Sequence, residues 1–172
     1  MKQEQFLNLA SAEEALKKFR DAVNPAPLGE EQILLEEARG RVLSRDVIAS
    51  INVPFYDRSN FDGYAVRAED TFGAEETEPL SLKLNRQILA CGVIPEEQLL
   101  PGTATPISTG GVLPRGADGV VMIENTHPDG DWIRVLKPIV PGGGVSLAGS
   151  DLGAGEVVLR RGDLLGFRET GT

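Results

Sequence analysis

The stretch Val53–Val66, VPFYDRSNFDGYAV, decides how this chain folds, because it places a polar loop directly before an apolar strand. Pro54 ends any preceding regular element, and Asp62-Gly63 is a common turn dipeptide. A core segment has no need of two carboxylates and a hydroxyl at such density, whereas a loop that carries a site does. The stretch therefore predicts a strand through Ala65 and Val66, with a candidate site in the loop before it.

The chain before this loop carries helical signals. Ser11 and Glu14 form the pattern of a capping box, and Asn24-Pro25 ends the predicted helix. Apolar residues recur between them at helical spacing, which predicts one apolar stripe. The members of that stripe are Ala12, Ala15, Leu16 and Phe19. We also expect a short strand over residues 33–35 and a short helix over residues 36–43.

The chain from residue 48 onward carries strand signals, because short apolar runs alternate with glycine and proline. Leucines alternate with polar residues over 80–84, which predicts a strand with one solvated face. We expect two hairpins in addition, which join residues 119–124 to 132–136 and residues 155–159 to 164–165. Pro141–Gly144 is expected to be a crossover from the β-rich middle to a final piece that returns to the start.

Composition limits the class of protein. The chain has 172 residues, of which 41% are hydrophobic and 25% charged, as in an ordinary globular protein of one domain or two small ones. The net charge of −9 disfavours nucleic acid and anionic membrane surfaces as partners. A small anionic ligand stays possible where arginine, backbone N–H groups or a metal ion neutralise it locally. No stretch approaches the roughly 20 apolar residues of a membrane span.

Cysteine and histidine usage narrows the chemistry further. Cys91 is the single cysteine, so no intrachain disulfide and no thiolate zinc cluster can form, and we expect a reduced, cytoplasmic location. His127 is the single histidine and lies in a turn-like stretch, residues 125–130. A solvated turn histidine is favoured there over a catalytic one, which disfavours a Ser-His-Asp hydrolase.

Three loops couple an oxygen-bearing side chain to glycine, and each leaves two interpretations open. Asp57–Gly63 could bind a hard cation through its two carboxylates or be a plain turn before a strand. Pro106–Gly111 could form an anion-binding nest of N–H groups or simply end a strand. Pro141–Gly144 with Gly149–Leu152 could let a ligand approach closely or serve as a connector. Local pattern alone favours the structural interpretation of each loop.

Taken in order, these loops resemble the signature blocks of the molybdopterin molybdenumtransferase family, which includes MoeA and the gephyrin E domain. The first block matches at Pro54, Asp57, Ser59, Asp62, Gly63, Tyr64 and Ala65. The second matches at Pro101, Gly102, Ile107, Thr109, Gly110, Pro114, Gly116, Ala117, Asp118, Val120, Val121, Met122 and Glu124. The third matches at Val145, Gly149, Asp151 and Gly155. The resemblance runs from about Ser11 to Gly166, and three ordered blocks are far more specific than any one motif.

The resemblance implies an α+β fold that is mostly β. Residues 1–50 and 144–172 are expected to form a discontinuous small α+β domain, and residues 51–143 an irregular, coiled β domain. The family protein is an elongated homodimer and continues into a pterin-binding domain and a final β domain. We therefore expect this chain to be a fragment that is inactive alone.

The family enzyme inserts molybdate into adenylylated molybdopterin with Mg²⁺ and releases AMP. By resemblance, the catalytic residues are Asp62, Thr109 and Asp151. The residues implied to contact the pterin nucleotide are Asp57, Ser59, Gly63 and Gly110. Asp62 is the candidate Mg²⁺ ligand, Thr109 is expected to donate to a phosphate or oxyanion, and Asp151 to position the cation or a basic partner.

The chain departs from the family pattern where anion-binding arginines are usual. Pro106 takes the place of one arginine and Ser146 of another, while Ser150 replaces a glutamate. Arginine offers bidentate recognition of phosphate that other residues replace only in part. Candidates to compensate are Arg58, Arg115 and Arg134.

These departures leave alternatives to an enzyme. A non-catalytic binding or scaffold paralogue of the same family is favoured by the missing arginines. An unrelated acidic, β-rich domain that binds sugars or metabolites is a further possibility, although two tyrosines and one tryptophan offer few aromatic platforms for a sugar.

Overall fold

A computed structural model describes residues 10–26 and 28–171. Within them the chain forms one α-helix and ten short strands, so the fold is mostly β, as predicted. The elements are α1 Ala12–Val23, β1 Val47–Ile48, β2 Arg58–Ser59, β3 Gly63–Val66, β4 Leu80–Leu84, β5 Thr103–Ile107, β6 Gly119–Met122, β7 Thr126–Asp129, β8 Trp132–Val135, β9 Val145–Ser146 and β10 Val157–Leu159.

Six of the strands form one curled sheet in the order β6-β3-β5-β4-β8-β7. All neighbours in this sheet are antiparallel except β4 and β5. The apolar strand β3 lies between β5 and β6, with Ala65 opposite both Thr105 and Val120. All four residues of β3 are buried, as expected of a strand covered on both faces.

The core has two parts, one on each face of β3. Tyr64 and Val66 belong to one apolar cluster, and Ala65 belongs to the other. Successive side chains of a strand point to opposite faces, so a continuous apolar run supplies both clusters. Strand β3, which ends the stretch Val53–Val66, is therefore buried between the two apolar clusters.

Strand β4 confirms the alternation predicted for it. Leu82 is 3% exposed, whereas Ser81 and Lys83 are exposed on the other face. The dry face of β4 packs in the same cluster as Ile133 and Val135 of β8.

The chain after Gly144 returns antiparallel along residues 42–59, as the expected crossover requires. β9 pairs with β2 and β10 pairs with β1, while isolated bridges join Val53 to Leu152 and Val42 to Leu164. Among the described residues outside 51–143, only Ala38 is buried. Backbone pairing, with almost no apolar core, therefore holds this part of the chain together.

The helix prediction was confirmed for α1 and wrong for the segment after it. Ser11 and Glu14 make both hydrogen bonds of the capping box, and Asn24 ends α1 in the left-handed conformation. The strand expected over 33–35 and the helix expected over 36–43 are replaced by one 3-10 turn, Leu35–Glu37. Gly40 has a φ of +79°, which breaks the helix, and no apolar face is buried to sustain one.

Both predicted hairpins were wrong in their pairing. Residues 119–122 pair with β3, because their apolar side chains are buried there, and the hairpin partner of β8 is β7. His127 lies within β7 opposite Arg134, and the turn falls at Gly130. Residues 157–159 pair with β1, and Leu164 bridges to Val42, so the second hairpin does not form.

No helix in the part of the chain that the structure describes is both long and apolar enough to cross a membrane.

Candidate active site

The centre of the candidate site is a hydrogen-bonded pair, Asp62 and Thr109. Asp62 Oδ1 accepts the backbone N–H of Thr109 at 2.8 Å and its hydroxyl at 3.1 Å. Asp62 immediately precedes β3 and Thr109 follows β5, so the pairing of Gly63 with Ile107 brings the two together. Both residues are exposed. The sheet thus joins two site residues that lie 47 positions apart in the sequence.

The loop that carries Thr109 is fastened to β2. Gly110 N–H donates to the Ser59 carbonyl at 2.8 Å, and Ser59 N–H donates to the Gly111 carbonyl at 3.0 Å. Tyr56 adds a hydroxyl hydrogen bond to the Gly110 carbonyl at 3.3 Å. Gly110 has a φ of +78°, a conformation that favours glycine. The Asp57–Gly63 loop and the Thr109 loop therefore form one connected unit.

The Pro106–Gly111 loop is a strand end and not an anion-binding nest. Each N–H from Ser108 to Gly111 is already donated within the chain. The acceptors are Leu89 O for Ser108, Asp62 Oδ1 for Thr109, Ser59 O for Gly110 and Ser108 O for Gly111. A bound anion would find no spare backbone donor in this run, so any anion must be recognised by side chains.

Two of the residues implied to contact the pterin nucleotide have clear structural duties. The Ser59 hydroxyl, in a residue only 2% exposed, donates to the Phe61 carbonyl at 2.5 Å and accepts the Phe61 N–H at 3.3 Å. Gly63 is buried in β3, where an added Cβ would overlap the carbonyl oxygen of Val121. Both residues shape the loop and its strand, and a contact from either to a ligand stays a prediction.

Asp57 anchors the returning chain. Its Oδ1 accepts the N–H of Ala148 at 2.7 Å, and Asn52 Oδ1 accepts the N–H of Ala154 at 2.8 Å in the same manner. These two side chains hold the segment from Ala148 to Ala154 against residues 52–57. Asp57 thus positions the loop that carries Asp151.

Asp151 takes no part in the Asp62–Thr109 hydrogen bonds. Its N–H donates to the Val53 carbonyl at 2.9 Å, and its carboxylate accepts the Ser150 hydroxyl at 3.5 Å. Among the described residues no hydrogen bond joins Asp151 to Asp62 or Thr109. The structure brings two of the three predicted catalytic residues together and places the third beside Val53.

Residues 10–26 and 28–171 contain no group of three or more acidic, histidine or cysteine side chains placed to hold a metal ion. Asp62 nevertheless keeps Oδ2 available, because both hydrogen bonds from Thr109 go to Oδ1. Mg²⁺ usually keeps several waters and takes one or two carboxylates together with substrate phosphates. The donor set therefore fits a magnesium ion held by one carboxylate, with the other ligands from water and substrate.

Sequence reasoning gave little weight to the exposed face of β2. Arg58 pairs with Ser146 of β9 on one side and bridges to Val112 on the other. Ser146 Oγ donates to Asn60 Oδ1 at 2.5 Å, so these polar side chains share a face. Arg58 and Asn60 are exposed and Ser59 between them is buried. This alternation, with a charged and an amide residue two positions apart, is the sequence pattern that indicates a polar exposed face.

The other two candidate arginines are placed differently. Arg134 donates from Nε and Nη2 to Asp129 Oδ2 at 3.0 and 2.7 Å. This ion pair joins β8 to β7, so the Arg134 guanidinium already has an acidic partner. Arg115 lines a shallow groove together with Glu96 and Glu97.

Fold and site together define a mostly-β module. The Asp62–Thr109 pair lies at the end of its curled sheet, and Asp57 fastens the returning segment that begins at Ala148. The chain matches the family model of the MoeA N-terminal region (domain I and II) over residues 10–172. It therefore belongs to the MoeA N-terminal family, which confirms the resemblance drawn from the three motif blocks.

Individual relatives agree with this assignment. Molybdopterin molybdenumtransferase 2 of Mycobacterium tuberculosis is 39% identical over 131 residues, which is 76% of this chain and 32% of that protein. Molybdopterin molybdenumtransferase of Staphylococcus aureus is 32% identical over 133 residues, 77% of this chain and 32% of that protein. The chain spans about a third of the length of these curated relatives.

A solved structure has the same fold. The molybdopterin biosynthesis moeA protein from Pyrococcus horikoshii OT3 superposes with a TM-score of 0.82 at 38% identity. The superposition covers 95% of this chain and 42% of that one.

Proposed function

We propose that this chain is the N-terminal module of an enzyme of molybdenum cofactor biosynthesis that inserts molybdate into adenylylated molybdopterin. The observation that carries the proposal is the double hydrogen bond from Thr109 to Asp62 Oδ1, at 2.8 and 3.1 Å. It fixes one exposed carboxylate at the end of the sheet and leaves its second oxygen for a ligand. The names of the relatives, molybdopterin molybdenumtransferases, support the choice of reaction.

Asp62 is the residue proposed to act on the reactants. A magnesium ion, when bound, would supply positive charge that offsets the charge of molybdate and of the nucleotide phosphate. Asp62 Oδ2 is the atom that would hold this ion. The Thr109 hydroxyl donates a hydrogen bond to Asp62 Oδ1, so in this arrangement Thr109 orients the carboxylate and its hydroxyl hydrogen is not available to an oxyanion.

The proposal extends to the architecture of the whole protein. Residues 1–50 and 144–172 form the small α+β domain, residues 51–143 form the β domain, and the chain is inactive without the pterin-binding domain that the family supplies. Antiparallel pairing of β1 with β10 supports the discontinuous small domain. A cytoplasmic location is in keeping with the free, exposed thiol of Cys91.

A symmetric homodimer is part of the same proposal. The apolar stripe of α1 has no cover within the described residues, since Leu16, Phe19 and Val23 are 50%, 64% and 54% exposed. An exposed apolar stripe of this kind favours burial against a second copy or the remaining domains.

A non-catalytic binding or scaffold module of the same family is the second candidate. The separation of Asp151 from the hydrogen bonds of Asp62 and Thr109 favours it, as do the substitutions at Pro106, Ser146 and Ser150. An experiment on catalysis separates the two candidates.

The test replaces Asp62 by alanine in a protein that contains this chain and the nucleotide-binding domain. We expect molybdate-dependent AMP release to fall by about a hundredfold or more, the range seen when a group that stabilises a transition state is removed. Asp131→Ala is the matched control, because Asp131 is exposed and its carboxylate makes no hydrogen bond with a described residue. Equal rates in the two variants would refute the role of Asp62. A wild-type protein that binds the nucleotide without releasing AMP would favour the scaffold.

A further inference from the structure

The exposed face of the ribbon formed by β2, β9 and Val112 has a guanidinium at its centre. Arg58 lies directly opposite Ser146 on β9 and bridges to Val112 on its other side. Residues directly opposite each other on antiparallel strands share a face, with Cβ atoms about 4.5–5.5 Å apart. Arg58 is exposed, whereas its neighbour Ser59 is turned into the protein.

A second donor group lies on the same face. The Ser146 hydroxyl donates a hydrogen bond to Asn60 Oδ1 at 2.5 Å, which orients the Asn60 amide and leaves its NH₂ group as a donor. Neither this NH₂ group nor the Arg58 guanidinium has an acceptor among the described residues. The face therefore presents one cation and one neutral amide, both with N–H groups that lack acceptors.

Arg58 has no acidic partner among the described residues, although the chain has a net charge of −9, and several other exposed arginines, Arg86 and Arg161 among them, are in the same state. Arg41, Arg45 and Arg134 each have a carboxylate oxygen within 2.8 Å. No carboxylate of the described residues lies within ion-pair distance of Arg58, although Asp57 is its neighbour in sequence. The Asp57 carboxylate is instead bonded to Ala148 N–H.

The position of this face ties it to the candidate active site. Ser59, next to Arg58, exchanges backbone hydrogen bonds with Gly110 and Gly111, directly after Thr109. Arg58 on β2 and Asn60 directly after it thus lie on the segment that leads to Asp62 and is bonded to the Thr109 loop. Since every N–H of the Ser108–Gly111 loop is already donated, an anion bound here needs side-chain donors, and Arg58 and Asn60 supply two of them.

We propose that Arg58 and Asn60 bind a tetrahedral oxyanion beside Asp62. A guanidinium takes two oxygens of phosphate or molybdate at once, and the amide of Asn60 takes a third. Ser146, on β9, stands where the family usually has an arginine. Arg58 lies directly opposite it on β2 and supplies the positive charge that Ser146 lacks. The inference rests on the proposed function for the identity of the anion, and on the structure for the residues.

The test is a titration of the isotope-labelled chain, followed by the side-chain N–H signals of Arg58 and Asn60 in NMR spectra. Phosphate and molybdate are added separately at constant ionic strength. We expect saturable shifts of both signals with at least one anion, and a Kd weakened about tenfold or more in Arg58→Gln, because a charge-assisted hydrogen-bond pair is lost. Arg58→Lys should lose less, since it keeps the charge without the bidentate geometry. The tighter anion identifies the ligand: molybdate itself or a phosphate of the nucleotide.

Arg161→Gln is the matched control, because it removes the same charge from an exposed position on the turn after β10. Equal weakening by the two glutamine variants, or no saturable shift in the wild-type chain, would overturn the inference. Unchanged melting temperatures exclude unfolding as the cause of a loss. If Asp62→Ala loses AMP release but Arg58→Gln still binds the anion as well as the wild type does, the anion site is refuted and the proposed function stands. Arg58-dependent binding in a protein without insertion activity refutes only the proposed function.

Discussion

At the scale of single residues, the site loops contain two kinds of polar group. Asp62 Oδ2, the Arg58 guanidinium and the NH₂ group of Asn60 are exposed and have no hydrogen-bond partner among the described residues. The Ser59 hydroxyl and one oxygen of Asp57 are hydrogen-bonded within the chain. The first kind is free to meet a ligand, whereas the second builds the loop that presents it. Sequence motifs alone do not separate the two kinds.

Ser59→Ala should reduce stability without changing the chemistry of the exposed groups. The buried hydroxyl donates to and accepts from Phe61, and its loss leaves the Phe61 carbonyl without that donor. We expect the free energy of unfolding to fall by about 1–3 kcal/mol in urea denaturation. Ser81→Ala, on the solvated face of β4, should change it by less than about 0.5 kcal/mol. Equal changes in the free energy of unfolding for Ser59→Ala and Ser81→Ala would contradict the structural role of Ser59.

At the scale of elements, the segment after β9 is held by backbone hydrogen bonds to Val53 and Pro54 and, at its two ends, by side chains. Residues 148–154 form no strand, and their N–H groups at Ala148 and Ala154 donate to Asp57 and Asn52. Irregular backbone held in this way opens more readily than a sheet when one acceptor is removed. Asp57 is therefore a positioning residue for the loop of Asp151.

Asp57→Ala should speed hydrogen exchange of the Ala148 amide by about tenfold or more, because the lost hydrogen bond is worth about 1.5 kcal/mol or more when the acceptor is charged. Asp46→Ala is the matched control, since Asp46 Oδ1 accepts the N–H of Arg161 at 2.7 Å in the same manner. It should speed exchange at Arg161 and leave Ala148 unchanged. Faster exchange at Ala148 in both variants would indicate general loosening and contradict the clamp.

At the scale of the whole molecule, apolar surface is distributed unevenly. Two buried clusters surround β3, whereas the part of the chain outside residues 51–143 buries only Ala38 among its described residues. Leu34, Leu164 and Phe167 there are 68%, 64% and 75% exposed. An exposed apolar surface of this kind is typical of a region that packs against another surface.

The proposed dimer predicts that polar substitution on the stripe of α1 weakens self-association. Phe19→Gln should shift sedimentation of the chain toward the monomer, because it removes an aromatic side chain that is 64% exposed in the single chain. Lys18→Gln introduces the same side chain at the neighbouring position, outside the stripe, and should leave the dimer intact. A wild-type chain that sediments as a monomer at all concentrations would show that the apolar stripe of α1 is not buried against a second copy of the chain.

Local sequence was sufficient where the deciding interactions lie within a few residues. The capping box of Ser11 and Glu14, the left-handed stop at Asn24 and the alternation of β4 are of this kind. The strand predicted through Ala65 and Val66 is also confirmed, as part of β3. Three ordered motif blocks were sufficient to recognise the family.

Only the tertiary structure decided which strands pair and which polar groups are free. Residues 119–122 and 157–159 had plausible partners nearby, but each pairs with a distant strand, because burial and backbone satisfaction are settled over the whole chain. The same holds for the site: Asp62 meets Thr109 through the β3–β5 ladder, while Asp151 goes to Val53. Hydrogen bonds between residues far apart in sequence leave no local pattern, so only the folded chain shows that Ser146 holds the Asn60 amide while Arg58 has no acceptor.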